Sequence, residues 1–230
     1  MMLAPGDLVR FILSGLGVTV LITLVALAIA LLVGLLVGLA RLSSYRVVRW
    51  PAAAFVEFFR GTSELIQLFW VFFALPILTG YQIAPVAAAC IVLGVNHGSY
   101  VSEIVRSALL AVPRAQREAI VALNLPRRQA FTRVILPQAV PRMLPPLGNQ
   151  GVDLLKATSI VSLITVADMT FRAHQIRTLT GQTIESFLVI LVLYFALSSL
   201  IGFAVKRLQG RFSLGADRVA QPRTPAQVAS

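Results

Sequence analysis

From Phe11 to Ala40 the chain carries no charged side chain. A hydrocarbon core about 30 Å thick is crossed by about 20 helical residues, so this run supplies one tilted membrane span with residues to spare. A second uncharged run, Ser186 to Val205, is closed by Lys206 and Arg207 and reads as a further span. Charged residues make up 13% of the chain, about half of the ~25% usual in soluble domains, and hydrophobic residues make up 57%. An ordinary soluble domain is excluded. With 230 residues the length suits one domain, here a single membrane bundle. No Lys/Arg-rich region precedes the first run and no convincing cleavage site follows it, so it is read as a retained span. Gly34 and Gly38 are spaced for close helix contact, although glycine is common in membrane helices for other reasons.

Between these runs the pattern is broken in informative places. Pro51 to Thr79 is too long for one simple span and is interrupted by Glu57, Arg60, Gly61, Thr62, Ser63 and Glu64. It is read as an interfacial helix over 47–60 followed by a span over 62–79. Trp50 suits an interface anchor. Glu57, Arg60 and Glu64 at i, i+3 and i+7 are expected on one helical face. The third span, 84–105, is polar in its second half, where Asn96, Tyr100, Glu103 and Ser107 form one stripe. An acid inside a span is costly and usually faces a bundle interior or a polar path. Asn96, Tyr100 and Glu103 are therefore expected on a translocation path. The competing reading places Glu103 at the cytoplasmic end, paired with Arg106 as an anchor. His97 falls off the stripe and reads as a packed histidine. The fourth span, 144–166, opens at Pro145 and Pro146 and carries Asn149, Asp153 and Lys156 on one face. Asp153 and Lys156 are spaced to neutralise each other.

Positive charge sorts the loops. The 41–49 loop has three arginines, the 106–142 loop seven and the C-terminal stretch from Lys206 onward five Lys/Arg. The N-terminal tail has one, the 80–83 turn none and the outer 168–183 loop two. The positive-inside rule puts the first three in the cytoplasm. Five spans, at about 12–40, 62–79, 84–105, 144–166 and 186–205, then place the N-terminus outside and the C-terminus inside. The net charge of +11 follows from these loops and does not call for nucleic acid. Residues 1–10 are a short N-terminal tail, 11–207 the membrane domain, and 208–230 a tail expected to be disordered and cytoplasmic. The single cysteine, Cys90, and two scattered histidines suggest no disulfide and no metal site.

One polar island stands out, PRAQREAIVALNLPRRQAFTRVILP from Pro113 to Pro137. As a helix it places Ala115, Ala119, Ala122 and Leu123 on one apolar face, and Asn124 with Pro126 ends it. Glu118-Ala119, the residue at 124 and Leu136-Pro137 resemble the EAA loop of bacterial ABC-importer permeases. Ile120, Asn124 and Val134 depart from that pattern, Asn124 mildly, because asparagine tolerates the left-handed conformation glycine supplies at a helix end. The stretch FFRGTSELIQLFWVFFALP is similar to the Phe-Arg-Gly-Thr-Pro signature of polar amino-acid permeases, with Ser63 for proline. LLKATSIVSLITVADMTF is similar to the Leu-Lys-Asp-Thr-Ser signature that follows the EAA loop, with Ala157 for aspartate.

The resemblance covers residues 12–207 and is to a type I ABC-importer permease of the histidine/glutamine-like group. It implies an all-α, five-helix ABC transmembrane type-1 domain of the bacterial inner membrane. It makes 113–137 a cytoplasmic coupling loop, with Glu118, Ala119 and Asn124 docking into an ATPase subunit. It makes Lys156, Thr158 and Ser159 gate or dimer-interface residues, and Arg60, Gly61 and Thr62 a structural signature. EFFRGTSELIQLFWVFFALP, Ala-Leu-Asn and LITVADMTFRA look most like permeases of ectoine/hydroxyectoine importers. The implied function is ATP-driven import of polar amino acids or amino-acid-like compatible solutes by alternating access. The implied partners are two copies of an ATP-binding subunit, a second permease chain (a paralogue or a copy), an extracytoplasmic solute-binding protein and membrane lipid. ATP and Mg belong to the ATPase, since the chain has no G-x-x-x-x-G-K-[ST] loop and is not expected to be an enzyme. The rival class is an ion-coupled secondary transporter acting through Glu103.

Overall fold

The computed structural model describes residues 4–213. Among them regular structure is helical throughout. The helices run α1 Pro5–Leu13, α2 Leu16–Ala40, α3 Arg46–Gly61, α4 Glu64–Thr79 and α5 Pro85–Leu110. They continue as α6 Arg114–Ala122, α7 Arg127–Ile164, α8 Met169–Thr180 and α9 Thr183–Ser213. By length and composition three stretches can cross a membrane unaided: α1 with α2, α5, and α9. Two bent pairs raise the number to as many as five: α3 with α4, bent by 101°, and α7 with α8, bent by 48°.

The centre of the bundle is the α2–α5 pair, the most extensive helix contact in the molecule. It is close because one face of α2 is built from small residues at every fourth position. Ala26, Ala30, Gly34 and Gly38 are all buried there. Opposite them α5 offers Gly94 and Gly98. A Cβ on Gly94 would stand 2.6 Å from Ile29 Cβ, and one on Gly98 would stand 2.8 Å from Val33 Cβ. The Gly34/Gly38 spacing is thus used for contact. Larger residues then close the core around this seam. Ile22, Leu68, Leu93, Leu154 and Ile164 form one cluster, and Val101, Val105, Leu109 and Met143 another. A third cluster joins Leu8 and Ile12 of α1 to Met169 and Ile176 of α8, with Val189, Ile190 and Leu193 of α9 packed against it.

Both irregular helices have the same cause. In α4 a π-type turn over Trp70–Ala74 precedes Pro76, and in α7 one over Ala130–Ile135 precedes Pro137. Proline has no N–H to give and its ring crowds the carbonyl four residues back. Widening the turn by one residue accommodates both defects without ending the helix.

Several boundaries differ from those read in the sequence. The N-terminal tail, 1–10, holds most of α1 from Pro5 onward. The outer 168–183 loop is largely helix α8, which Asp168 caps by accepting from the Phe171 N–H at 2.8 Å and Gly181 closes at φ 75°. The fourth span belongs to a helix that starts at Arg127, not at Pro145. Prolines 141, 145 and 146 lie inside it. Glu57, Arg60 and Glu64 do not share a helical face, because the α3–α4 bend falls between Arg60 and Glu64. Asn124 takes the left-handed conformation, φ 46°, beyond the end of α6. The expected disordered tail, 208–230, begins inside α9, and its residues 214–230 lie outside the described residues.

The seam makes a test. Gly94→Ala should cost about 1–3 kcal/mol, because the added methyl meets a branched Cβ rather than a flexible side-chain end. Gly202→Ala, which meets open space, should be neutral or slightly stabilising. Thermal melting of the solubilised protein reads the difference. Equal melting temperatures would contradict the close α2–α5 approach.

Candidate functional site

The bend between α3 and α4 opens a cavity of about 660 Å³ against α5 and α7. Its walls include Thr62, Ser63 and Glu64 from the bend and Asn96, His97 and Tyr100 from α5. From α7 come Gln150, Asp153, Lys156 and Ser159.

The bend leaves backbone carbonyls at the end of α3 without helical partners, and side chains supply them. Asn96 Nδ2 donates to Phe59 O at 3.0 Å and to Gln67 Oε1 at 3.1 Å. Gln67 Nε2 donates to Thr62 Oγ1 at 2.7 Å and to Phe59 O at 3.2 Å. Thr62 Oγ1 donates back to Phe58 O at 2.8 Å. Asn96 and Gln67 are both buried, so these bonds replace water for groups that would be costly to leave unpaired. Asn96 therefore holds the cavity's edge as well as facing it.

Deeper in the wall, His97 joins two helices. Gln150 Nε2 lies 2.5 Å from His97 Nδ1. With the amide donating, the ring proton sits on Nε2. That atom is buried, makes no hydrogen bond, and lies 3.4 Å from Glu64 Oε2. Glu64 thus faces a polarised N–H on one side and the cavity on the other. Asp153 and Lys156 are exposed at the opening, one turn apart on α7. Around one space the site gathers two carboxylates, an ammonium, an imidazole and a phenol. Arg60 Cζ lies 5.1 Å from the Tyr100 ring centroid, a cation–π contact rather than an ion pair with Glu57 or Glu64.

Glu103 is not in this cavity. Its carboxylate is held by Arg41 from the end of α2 and by Arg106, whose NH2 lies 2.5 Å from Oε1. The stripe drawn through Asn96, Tyr100 and Glu103 therefore divides: the first two line the cavity, and the third ties α2 to α5. Of the gate residues, Lys156 and Ser159 line the cavity, while Thr158 is buried and donates to Leu155 O at 2.7 Å. The signature residues Arg60, Gly61 and Thr62 sit at the bend itself. Glu118, Ala119 and Asn124 are exposed on or just beyond α6, beside Val121 and Leu123, which are 78% and 70% exposed.

Sequence reasoning missed Gln67, His97 and Gln150. A lone glutamine in the apolar run after Glu64 was a signal, because a buried amide needs a partner. His97 was set aside because it falls off the Asn96 stripe, yet two faces of α5 border the cavity where α4 and α7 diverge. It also missed Arg117, whose NH2 donates to Leu109 O at 3.0 Å and to Leu110 O at 3.3 Å. Arg142 likewise donates to Ala111 O. These two guanidiniums cap the free carbonyls at the C-terminal end of α5.

Residues 30–213 match the family described as binding-protein-dependent transport system inner membrane component. The chain is 38% identical over 200 residues to a probable amino-acid ABC transporter permease protein, y4tF, of Sinorhizobium fredii, covering 85% of this chain and 84% of that one. It is 34% identical over 207 residues to the glutamine transport system permease protein GlnP of Escherichia coli, covering 90% and 94%. Its fold is similar to a chain in the crystal structure of an amino acid ABC transporter with histidines. There the TM-score is 0.85 at 31% identity, over 92% of this chain and all of the other.

The buried amide pair behaves as a unit if the bend depends on it. In a cycle of Asn96→Ala, Gln67→Ala and the double variant, the two substitutions should couple by about 0.5–3 kcal/mol in folding stability. Strict additivity in thermal melting would show that the two amides act independently.

Proposed function

The chain belongs to the family of binding-protein-dependent transport system inner membrane components, and from that premise we propose that it is the permease of an ATP-driven amino-acid importer whose solute passes through the Glu64–Asp153–Lys156 cavity. The family's members are membrane components, and catalysis of ATP hydrolysis lies in a separate subunit. The partners are that ATPase in two copies with its ATP and Mg, a second permease chain and an extracytoplasmic binding protein. The solute is a polar amino acid or an amino-acid-like zwitterion such as ectoine. The observation that carries this reading is the charge arrangement of the cavity. A zwitterion crossing an apolar region needs an anion for its cationic end and a cation for its carboxylate. Glu64 and Asp153 supply the first, and Lys156 supplies the second. His97 Nε2 stands 3.4 Å from the Glu64 carboxylate at the edge of that space.

Coupling follows from the other end of α5. Helix α6 presents Glu118, Ala119 and the nearby Asn124, with an uncovered apolar side, for docking on the ATPase. Arg117 on the same helix grips the last carbonyls of α5. Motion of α6 is thereby delivered to the helix that carries Asn96, His97 and Tyr100, about 18 Å further along at ~1.5 Å per residue. Alternating access is the consequence: the cavity wall moves with the coupling helix. The ion-coupled alternative loses its key group, because two guanidiniums already neutralise Glu103 outside the cavity.

Reconstituted with its partners, Glu118→Ala should leave the complex assembled and hydrolysing ATP while uptake falls. Glu64→Gln should lower uptake roughly tenfold, the worth of about 1.4 kcal/mol of lost charge-assisted contact, with ATPase coupling retained. Wild-type uptake in Glu118→Ala removes that residue from coupling. Wild-type uptake in Glu64→Gln removes the cavity from the solute path.

A further inference from the structure

A second cavity, of about 490 Å³, lies where α3 crosses the ends of α2 and α5, and its walls share no residue with the solute cavity. Arg41, Arg49 and Arg106 line it with Trp50 and Glu57, and Ala53 and Ala54 give it room. We propose that this cavity holds the phosphodiester headgroup of an anionic phospholipid.

The first argument is charge. Arg41 and Arg106 are fixed in place by Glu103 between them, so neither guanidinium must be ordered when an anion arrives. Around the cavity three guanidiniums face only two carboxylates, Glu57 and Glu103. One positive charge is left over, and one phosphodiester neutralises it. Guanidinium is also the side chain best matched to a phosphate's paired oxygens.

Helix α3 supplies the second argument. It is amphipathic in a way that places the cavity at a boundary. Val47, Val48, Pro51, Phe55 and Phe58 fall on one face, and Val47 and Phe58 are 85% and 61% exposed. Arg49, Ala53 and Glu57 fall on the other. Such a helix lies in the plane of the interface, with its apolar face toward acyl chains and its polar face at headgroup depth. Trp50, 70% exposed, and Ala54 stand on the edge between the two faces. A lipid with its phosphate among the arginines can lead its chains past that edge onto Val47 and Phe58. Free phosphate uses only the polar half of this arrangement, which selects a lipid as the occupant. Basic pockets between membrane helices bind anionic headgroups on this principle.

The test uses the assembled transporter in nanodiscs of phosphatidylglycerol and phosphatidylcholine with matched acyl chains. Lipids retained after release are counted by native mass spectrometry. Wild type should keep phosphatidylglycerol in preference to phosphatidylcholine. Arg49→Gln should reduce that retention about fivefold, and Ala54→Phe, which fills the space without changing charge, should reduce it as well. Arg46→Gln, on the same helix but not in the cavity wall, should retain the lipid. Equal retention of the two lipids by wild type overturns the proposal. So does retention unchanged in both Arg49→Gln and Ala54→Phe, or an equal loss in Arg46→Gln and Arg49→Gln. Displacement of phosphatidylglycerol by millimolar inorganic phosphate would show a phosphate site that does not read the lipid, and would also overturn it.

Discussion

A helix that breaks inside apolar surroundings must find new partners for its freed backbone groups. In this protein the break is the 101° bend between α3 and α4, and the partners are Asn96 and Gln67. Their amides meet each other and the Phe59 carbonyl, so the bend is pinned to the middle of α5. Much else depends on that pin. It frees one side of α5 for the cavity, carries Glu64 to within 3.4 Å of His97, and turns α3 out of the line of α4 by 101°. Without it, Pro51 to Thr79 would be a helix too long for the bilayer.

Helix α5 is the common element. Along its length it packs on the small-residue face of α2, borders the cavity at the α3–α4 bend, meets Arg41 through Glu103, and ends in carbonyls held by Arg117 and Arg142. Four roles on one rigid rod make a displacement at one end felt at the others. The polar groups of the cavity and of the α2–α5 anchor are kept apart, so a charged residue in the bundle is tied up between helices in one case and left facing open space in the other. Glu103 is saturated by two cations. Glu64 by contrast faces His97 Nε2 at 3.4 Å and the open cavity.

Much of this was legible in the sequence where one physical rule dominates. The two uncharged runs marked the long apolar helices α2 and α9, since burying charge in lipid is costly at any position. The break at Gly61-Thr62 and the left-handed residue at Asn124 were legible from local backbone chemistry. Of the α5 stripe expected on a translocation path, Asn96 and Tyr100 line the cavity. What failed was whatever depends on a distant partner. Glu103 lies on the same stripe, and only the approach of Arg41, 62 residues earlier in the chain, removes it from the cavity. His97 is packed, as read from the sequence, but its partners Gln150 and Glu64 come from other helices. Helix α8 was read as a loop because its polarity was weighed before its caps, Asp168 and Gly181. Pro145 and Pro146 read in the sequence as a beginning, although the helix that starts at Arg127 runs through both of them.

In the proposed function, ATP hydrolysed in a partner drives solute movement through this chain. The direct measurement is uptake of radiolabelled amino acids and ectoine into liposomes holding the chain with its co-purified subunits, with ATP inside and binding protein outside. Uptake that requires both and survives an ionophore that collapses all ion gradients is the predicted result. Uptake that follows an imposed ion gradient without ATP would contradict the account.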